Sequence, residues 1–215
     1  MKHSILPLLH KPPSLRLIMV AIIMLHITAS AYAWEDWEQR LIDNNCLHYS
    51  EQKYDNEYLR CFRIDLTNIY GGNVMHVTRN KESVYGCASN KGRKWCEIAL
   101  LNKNNQEVLR ISIDNSGADS TSVVIDENNL GDKCSCKVDE WAIETDTSLF
   151  HEHGLWSGKE SYPIISILRK AKSLSIYATI PNKYKTLYRS DFSSNELRDF
   201  QSNIEQSLRI LFNNK

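Results

Sequence analysis

After residue 33 the sequence lacks any apolar run that approaches the roughly 20 residues needed to span a bilayer. Glycine and proline are scarce, at 8 and 5 residues in a chain of 215, and there is no low-complexity tract or internal repeat. This composition argues against disorder. Basic and acidic residues balance at 26 each, so the chain lacks the strongly basic character expected of a protein that coats nucleic acid.

The first 33 residues have the three-part layout of a secretory signal peptide. Three basic residues precede an apolar run of eleven at residues 17–27, and Ala31 and Ala33 are the small residues that precede a cleavage site. We therefore expect cleavage after Ala33 and a periplasmic or secreted protein. An uncleaved amphipathic or membrane anchor is the alternative interpretation.

The remaining residues, 34–215, have the length of one domain. All three basic residues of the leader are lost on cleavage, which leaves 23 basic and 26 acidic residues and a net charge of −3. We expect a single mature, disulfide-bonded domain that binds no nucleic acid and has no transmembrane segment.

All six cysteines follow the leader, and an even number in an exported chain is typical of disulfides. Six cysteines allow fifteen connectivities, and sequence alone does not choose among them. The candidate disulfide residues are Cys46, Cys61, Cys87, Cys96, Cys134 and Cys136.

Proximity in the chain favours two of the possible pairs. Cys87 and Cys96 flank a Ser-Asn-Lys-Gly turn and would crosslink a hairpin, while Cys46 and Cys61 would close a short segment. Each crosslink would stabilise the fold by roughly 2–4 kcal/mol. The last two cysteines are two positions apart on one face of a predicted strand, where a direct bond is strained. They bond to each other or reach the other four.

The hydrophobic pattern predicts a mainly antiparallel β body. Apolar runs at residues 95–101 and 107–113, joined by four polar residues, are typical of a hairpin. Turn clusters recur about every ten residues, which favours a sandwich or an open barrel. Further strands are predicted at residues 59–66, 73–78, 120–125 and 133–143.

Two helices complete the predicted α+β fold. A short helix near residues 161–171 has Pro163 in its first turn, where the missing N–H is tolerated. A C-terminal amphipathic helix at residues 194–212 is preceded by Ser193 and contains Glu196, the spacing of a capping box. Its apolar residues recur at helical spacing, with charged residues between them.

A strand pair at residues 173–180 and 184–188 lies between the two helices. Its aromatic and basic side chains would form an exposed protein-binding surface if they point outward. A helix packed over them would bury the same row, and that alternative is equally consistent with the sequence. The candidate partner-binding residues are Tyr177, Tyr184, Tyr188 and Lys185.

His151 and His153 are the candidate metal ligands. Two imidazoles two residues apart can share a metal on an extended backbone, and the intervening Glu152 could orient one of them. No third ligand lies nearby in the sequence, so a solvated polar loop is the simpler interpretation. We expect no cofactor.

The order of segments after residue 120 is a strand with an acidic turn, paired cysteines, a short helix, a strand pair and an amphipathic helix. In that order, these segments are residues 123–126, Cys134 with Cys136, residues 167–174, the strand pair described above, and residues 197–211. Trp37, Cys46 and Cys61 precede them. The layout resembles that of the invasion-associated locus B family of exported bacterial proteins. The resemblance implies a small β-rich exported protein linked to host interaction or to the cell envelope, and it implies no catalytic residues.

We therefore expect a non-enzymatic bacterial protein that binds another protein at the envelope or at a host surface. One alternative is a periplasmic immunity or inhibitor protein against a toxin or hydrolase, whose acidic residues Asp126, Glu127 and Asp132 would enter a basic cleft. The other alternative is a metal-dependent hydrolase that uses His151 and His153.

Overall fold

Two antiparallel sheets form most of the described part of the chain. The computed structural model describes residues 39–46, 56–68, 71–117, 120–125, 140–152, 154–179 and 186–212. Within these ranges one sheet has six strands in the order β1-β2-β3-β4-β5-β8, and the other has four in the order β10-β9-β6-β7. Both sheets have open edges, so the predicted α+β fold is confirmed in its sandwich form, and the open-barrel form is not adopted.

The strands alternate with short turns through most of the chain. They are β1 Asn73–Arg79, β2 Ser83–Asn90, β3 Arg93–Leu101, β4 Glu107–Asp114, β5 Ser122–Ile125, β6 Glu140–Thr145, β7 Leu149–Glu152, β8 Leu155–Ser157, β9 Ser173–Thr179 and β10 Thr186–Ser193. The predicted β3–β4 hairpin is confirmed, and the returning strand β10 continues well beyond its predicted end at residue 188.

Four α-helices pack against the sheets in the described residues. Helical residues at 39–43 are labelled α1, followed by α2 at Asn56–Asn68, α3 at Ser161–Leu168 and α4 at Ser194–Phe212. Helix α4 begins as the sequence predicts, because Glu196 Oε2 accepts hydrogen bonds from the backbone N–H and the hydroxyl of Ser193, at 2.8 and 2.6 Å. None of the helices in the described ranges has the length and hydropathy of a membrane-spanning segment.

The central strands β2, β3 and β4 of the six-stranded sheet are buried on both faces. On one face its side chains join the four-stranded sheet, α3 and α4 in a single apolar core, which includes Ile98, Ile143 and Phe200. On the other face a second cluster includes Leu41 and Phe62 from α1 and α2. Burial on both sides explains why β3 carries a continuous apolar run instead of an alternating one.

The predicted strand at residues 59–66 is wrong, because α2 spans these residues. The segment contains an alternating apolar pattern, but burial follows the helical spacing. Five residues of α2 are each at most 5% exposed, and they recur at the i, i+3, i+4, i+7 and i+8 positions of one helical face. These residues are Tyr58, Cys61, Phe62, Asp65 and Leu66. Tyr58 lies just before the predicted strand, so its contribution to the helical stripe was overlooked.

Both disulfides expected from proximity are present. Cys46 bonds to Cys61 and joins the segment after α1 to α2, while Cys87 bonds to Cys96 across β2 and β3, where the two residues are direct cross-strand partners. All four sulfurs belong to buried residues. The predicted leader at residues 1–33, together with Cys134 and Cys136, lies outside the described residues.

Substitution of Gly86 tests the close packing of α2 on β2. A Cβ atom at Gly86 would lie 2.9 Å from Leu66 Cδ2 and 3.0 Å from both Phe62 Cε1 and Val77 Cγ2. We expect Gly86→Ala to lower the free energy of unfolding by about 1–3 kcal/mol in urea denaturation, because the helix must shift outward. Gly71→Asn is the control, since no atom lies within 4 Å of its Cβ position and asparagine tolerates a φ of 63°. Equal stability of the two variants would contradict this packing.

Candidate functional site

The outer face of the four-stranded sheet carries an aromatic and charged surface, which we call the open face. Alternation along β9 directs Leu174 and Ile176 into the core and Tyr177 to the opposite side. In the sheet register Tyr177 is paired with Arg189 of β10 and with Ala142 of β6. One row of the open face therefore begins with an arginine beside a tyrosine.

The same row continues to His151, which pairs with Ala142 across β6 and β7. The structure thus places Tyr177 and His151 in one row, although the sequence predicted separate roles for them. A second row contains Asp191, Ser175, Glu144 and Leu149, one from each strand. Most of these side chains are accessible, as shown by the 46% exposure of His151 and the 49% exposure of Leu149.

Hydrogen bonds hold Arg189 in place on the open face. Its Nε donates to both carboxylate oxygens of Asp191, at 2.8 and 3.0 Å, and its Nη2 donates to Ser175 Oγ at 3.1 Å. The guanidinium carbon lies 5.7 Å from the centre of the Tyr177 ring, within the range of a cation–π interaction. The arginine is therefore ordered while its side chain stays 52% exposed.

These contacts fix the charge states of two groups on the open face. The Ser175 hydroxyl and Arg189 lower the pKa of Asp191 below its usual value, so this carboxylate stays ionised at neutral pH. Partial burial, followed by the nearby Glu144 carboxylate, raises the pKa of Tyr177. Tyr177 therefore keeps its proton and remains a hydrogen-bond donor.

The candidate metal ligands are placed only in part. His151 Nδ1 lies 3.8 Å from Glu140 Oε2, and both side chains are accessible. Across the described ranges no three histidine, cysteine, aspartate or glutamate side chains form a group that could hold a metal ion. His153 lies outside those ranges, as do Asp126, Glu127 and Asp132 of the proposed inhibitor loop.

The remaining candidate partner-binding residues are described only in part. Tyr184 and Lys185 lie outside the described residues, and Tyr188 is described by its backbone alone. In the register Tyr188 is paired with Ala178, whereas Tyr177 is paired with Arg189. The described surface is thus centred on the Tyr177–Arg189 pair.

A second polar site lies between α2 and the six-stranded sheet, and the sequence reading missed it. Arg110 of β4 donates to Asp65 Oδ2 at 2.9 Å and to Glu97 Oε2 at 3.2 Å. It also contacts both oxygens of Glu107, with Nε to Oε1 at 2.6 Å and Nη2 to Oε2 at 2.8 Å. The hydroxyl of Tyr58, which belongs to α2, donates to the Glu107 carboxylate. We call these five residues the buried charge cluster.

The buried charge cluster is enclosed by apolar side chains. Its three carboxylates belong to residues that are 2–5% exposed. The Arg110 guanidinium lies 5.6 Å from the centre of the Phe62 ring. Polar groups buried this deeply require mutual hydrogen bonds, so the cluster fixes the position of α2 on the sheet.

Glu97 has the most perturbed acidity in the cluster. Loss of hydration on burial raises the pKa of Glu97 to about 7. The positive charge of Arg110 acts in the opposite direction and lowers this pKa, whereas the negative charges of Asp65 and Glu107 raise it further. Near neutral pH this carboxyl group is therefore partly protonated. A glutamate inside the apolar run of β3 was the available signal in the sequence, because a charged residue at a position buried on both sides needs a partner.

Comparison of the chain with family models, with curated proteins and with solved structures finds no match. The site is therefore interpreted from its own geometry.

The raised acidity of Glu97 predicts a pH dependence of stability. The folded chain holds a proton at Glu97 that the unfolded chain releases near pH 4.5, so this contribution is complete below pH 4.5 and is lost as the pH rises towards 7. The loss is on the order of 3 kcal/mol. We expect Glu97→Gln to flatten the unfolding free energy between pH 4.5 and 7, as measured by urea titrations at several pH values. Exposed Glu152→Gln controls for the lost charge, and an unchanged slope in Glu97→Gln would refute the assignment.

Removal of Arg110 tests the role of the cluster in stability. Arg110→Met eliminates the hydrogen bonds to three buried carboxylates, and we expect a loss of about 3–5 kcal/mol in the free energy of unfolding. Arg60→Met is the matched control, because its ion pair with Glu57 lies on the surface and contributes little. The idea fails if the two variants unfold at the same urea concentration.

Proposed function

We propose that this chain is exported after cleavage behind Ala33 and binds another protein through the open face. Two disulfides support an oxidising destination, since such bonds persist mainly outside the reducing cytosol. The layout resemblance to the invasion-associated locus B family favours a partner at the cell envelope or at a host surface. The proposed role is non-enzymatic.

The observation that carries the proposal is the ordered Tyr177–Arg189 pair. Tyrosine and arginine are among the residues that contribute most to binding energy at protein interfaces. Arg189 is already held by Asp191 and Ser175, which reduces the entropy lost when a partner orders it. A sheet face with a fixed arginine and a half-buried tyrosine therefore suits a macromolecular partner.

The acidic groups elsewhere in the described chain suit a structural role. The carboxylates of the buried charge cluster face α2 and the sheet, and their low exposure gives a substrate little access. On the open face Arg189 forms an ion pair with Asp191, and His151 lies beside Glu140, in both cases at the surface. These arrangements support binding more than acid–base chemistry.

Capture experiments test the binding face. The oxidised mature protein is used as bait for envelope fractions and for host-cell lysates, and the retained protein is identified and titrated. We expect Tyr177→Ala with Arg189→Ala to weaken binding at least about tenfold, because each side chain contributes more than 1 kcal/mol at a typical interface centre. The control is Tyr162→Ala with Arg198→Ala, which removes an exposed tyrosine and an exposed arginine elsewhere.

The capture results test both the binding surface and the class of partner. Equal retention by both double variants would refute the open face as the binding surface. A retained hydrolase would make the partner an enzyme and the chain its inhibitor.

Intact mass measurement of the native protein tests export, since a chain that begins at Met1 with free thiols would contradict it.

A further inference from the structure

The edge strand β7 borders the open face, and it differs from the other sheet edges. Within the residues that the structure describes, the two sheets end in four edge strands, β1 and β8 on one and β10 and β7 on the other. An edge strand presents unpaired backbone N–H and C=O groups, and natural proteins usually obstruct such edges with bulges or very short strands.

Three of these four edges carry such obstructions. The register of β1 shifts between Val74 and His76, and the register of β10 shifts between Thr186 and Tyr188. A bulge of this kind bends a strand and interrupts regular pairing. Strand β8 has only three residues. Strand β7 is also short, with four residues, but it pairs with β6 without any shift and contains neither proline nor lysine.

The direction of the free backbone groups of β7 follows from the turn that precedes it. Thr145 N–H donates to Ser148 C=O at 2.8 Å, so Ser148 is hydrogen-bonded to β6. Inward and outward backbone groups alternate along an antiparallel strand. The N–H and C=O groups of Phe150 therefore point to β6, and those of Leu149 and His151 point away from the sheet.

The side chains of the same two residues lie on the open face. His151 lies in the row of Tyr177 and Leu149 lies in the row of Glu144, and the two residues are 46% and 49% exposed. A strand added beside β7 would form hydrogen bonds with their backbones and extend the open face by one strand.

We propose that the partner inserts an extended segment beside β7 as a fifth strand of this sheet, an inference that rests on the proposed function. Charge defines the segment. Strands β6 and β7 carry exposed Glu140, Glu144 and Glu152 and no lysine or arginine. Glu140 and Glu144 lie on the open face with Leu149 and His151, whereas Phe150 and Glu152 lie on the opposite face of the sheet. The complementary segment therefore alternates lysine or arginine residues, which lie beside Leu149 and His151 and approach Glu140 and Glu144, with apolar residues, which contact Phe150.

A second copy of this chain fits the edge less well. Pairing of β7 with itself would place two acidic sheet edges side by side, and such like-charge contact disfavours association. Four residues per copy also bury far less than the roughly 1,200 Å² typical of a stable interface. A partner segment is free to continue past both ends of β7.

Amide hydrogen exchange on the oxidised protein tests the inference without a substitution. The probe is a blocked peptide of alternating valine and lysine, and the control is a blocked peptide of alternating valine and glutamate. We expect the Leu149 and His151 amides to exchange quickly in the free protein and about tenfold more slowly near 90% saturation with the lysine peptide. Slow exchange in the free protein, or no effect of the lysine peptide at millimolar concentration, would overturn the inference.

Substitution of His151 separates the backbone from the side chain. His151→Pro removes an outward N–H, which an edge strand tolerates, together with the imidazole, and we expect it to abolish peptide binding. His151→Ala retains the N–H and is expected to keep most of the binding, and Leu149→Pro repeats the test at the other outward position. Equal peptide binding by His151→Pro and the wild type would contradict strand addition.

The capture experiment then distinguishes the two proposals. If His151→Pro retains the natural partner while Tyr177→Ala with Arg189→Ala loses it, strand addition is wrong and the open face remains the binding surface. If the wild type binds the lysine peptide through β7 but the open-face variant captures its partner as well as the wild type does, the open-face proposal fails instead.

Discussion

Burial of the central strands of the six-stranded sheet on both faces is the constraint on which the rest of the structure depends. Strands β2 and β3 are apolar on each side, so one covering layer is not enough to stabilise them. The four-stranded sheet with α3 and α4 covers one face, and α1 and α2 cover the other. The four-stranded sheet consequently has one face committed to the core, and its other face is left for Tyr177 and its neighbours.

The layer formed by α2 is held by several kinds of contact. Cys61 links the helix to Cys46, and Trp95 Nε1–H donates to the Leu66 carbonyl at 2.8 Å near the end of the helix. Between these points the buried charge cluster joins α2 to β3 and β4. Apolar contacts alone would tolerate small shifts of the helix, whereas the hydrogen bonds of Arg110 are satisfied in one position. The cluster therefore contributes specificity in addition to any stability.

The sequence predicts local elements well where pattern and end signals agree. Helix α4 has both a regular apolar stripe and the Ser193–Glu196 pair, and the β3–β4 hairpin has two apolar runs around a polar turn. Helix α2 was mistaken for a strand because its short apolar pattern fits two periods. Its buried face includes Asp65, which a hydrophobicity pattern counts as exposed.

The candidate sites depend on register and on long-range contact, which a single sequence does not encode visibly. Tyr177 and Arg189 become neighbours only through the pairing of β9 with β10, and His151 joins their row through two further pairings. Likewise, Asp65 and Arg110 are 45 positions apart in the chain. The individual residue types were informative, but their grouping required the fold.

The bond between Cys87 and Cys96 has a consequence for assembly. The two residues face each other directly, so their oxidation permits a single alignment of β2 against β3. A slip of one position would exchange the residues meant for the α2 side with those meant for the sandwich interior. The disulfide therefore determines which side chains of β2 and β3 face α2 and which face the sandwich interior. It does so through two residues that are only nine positions apart in the chain.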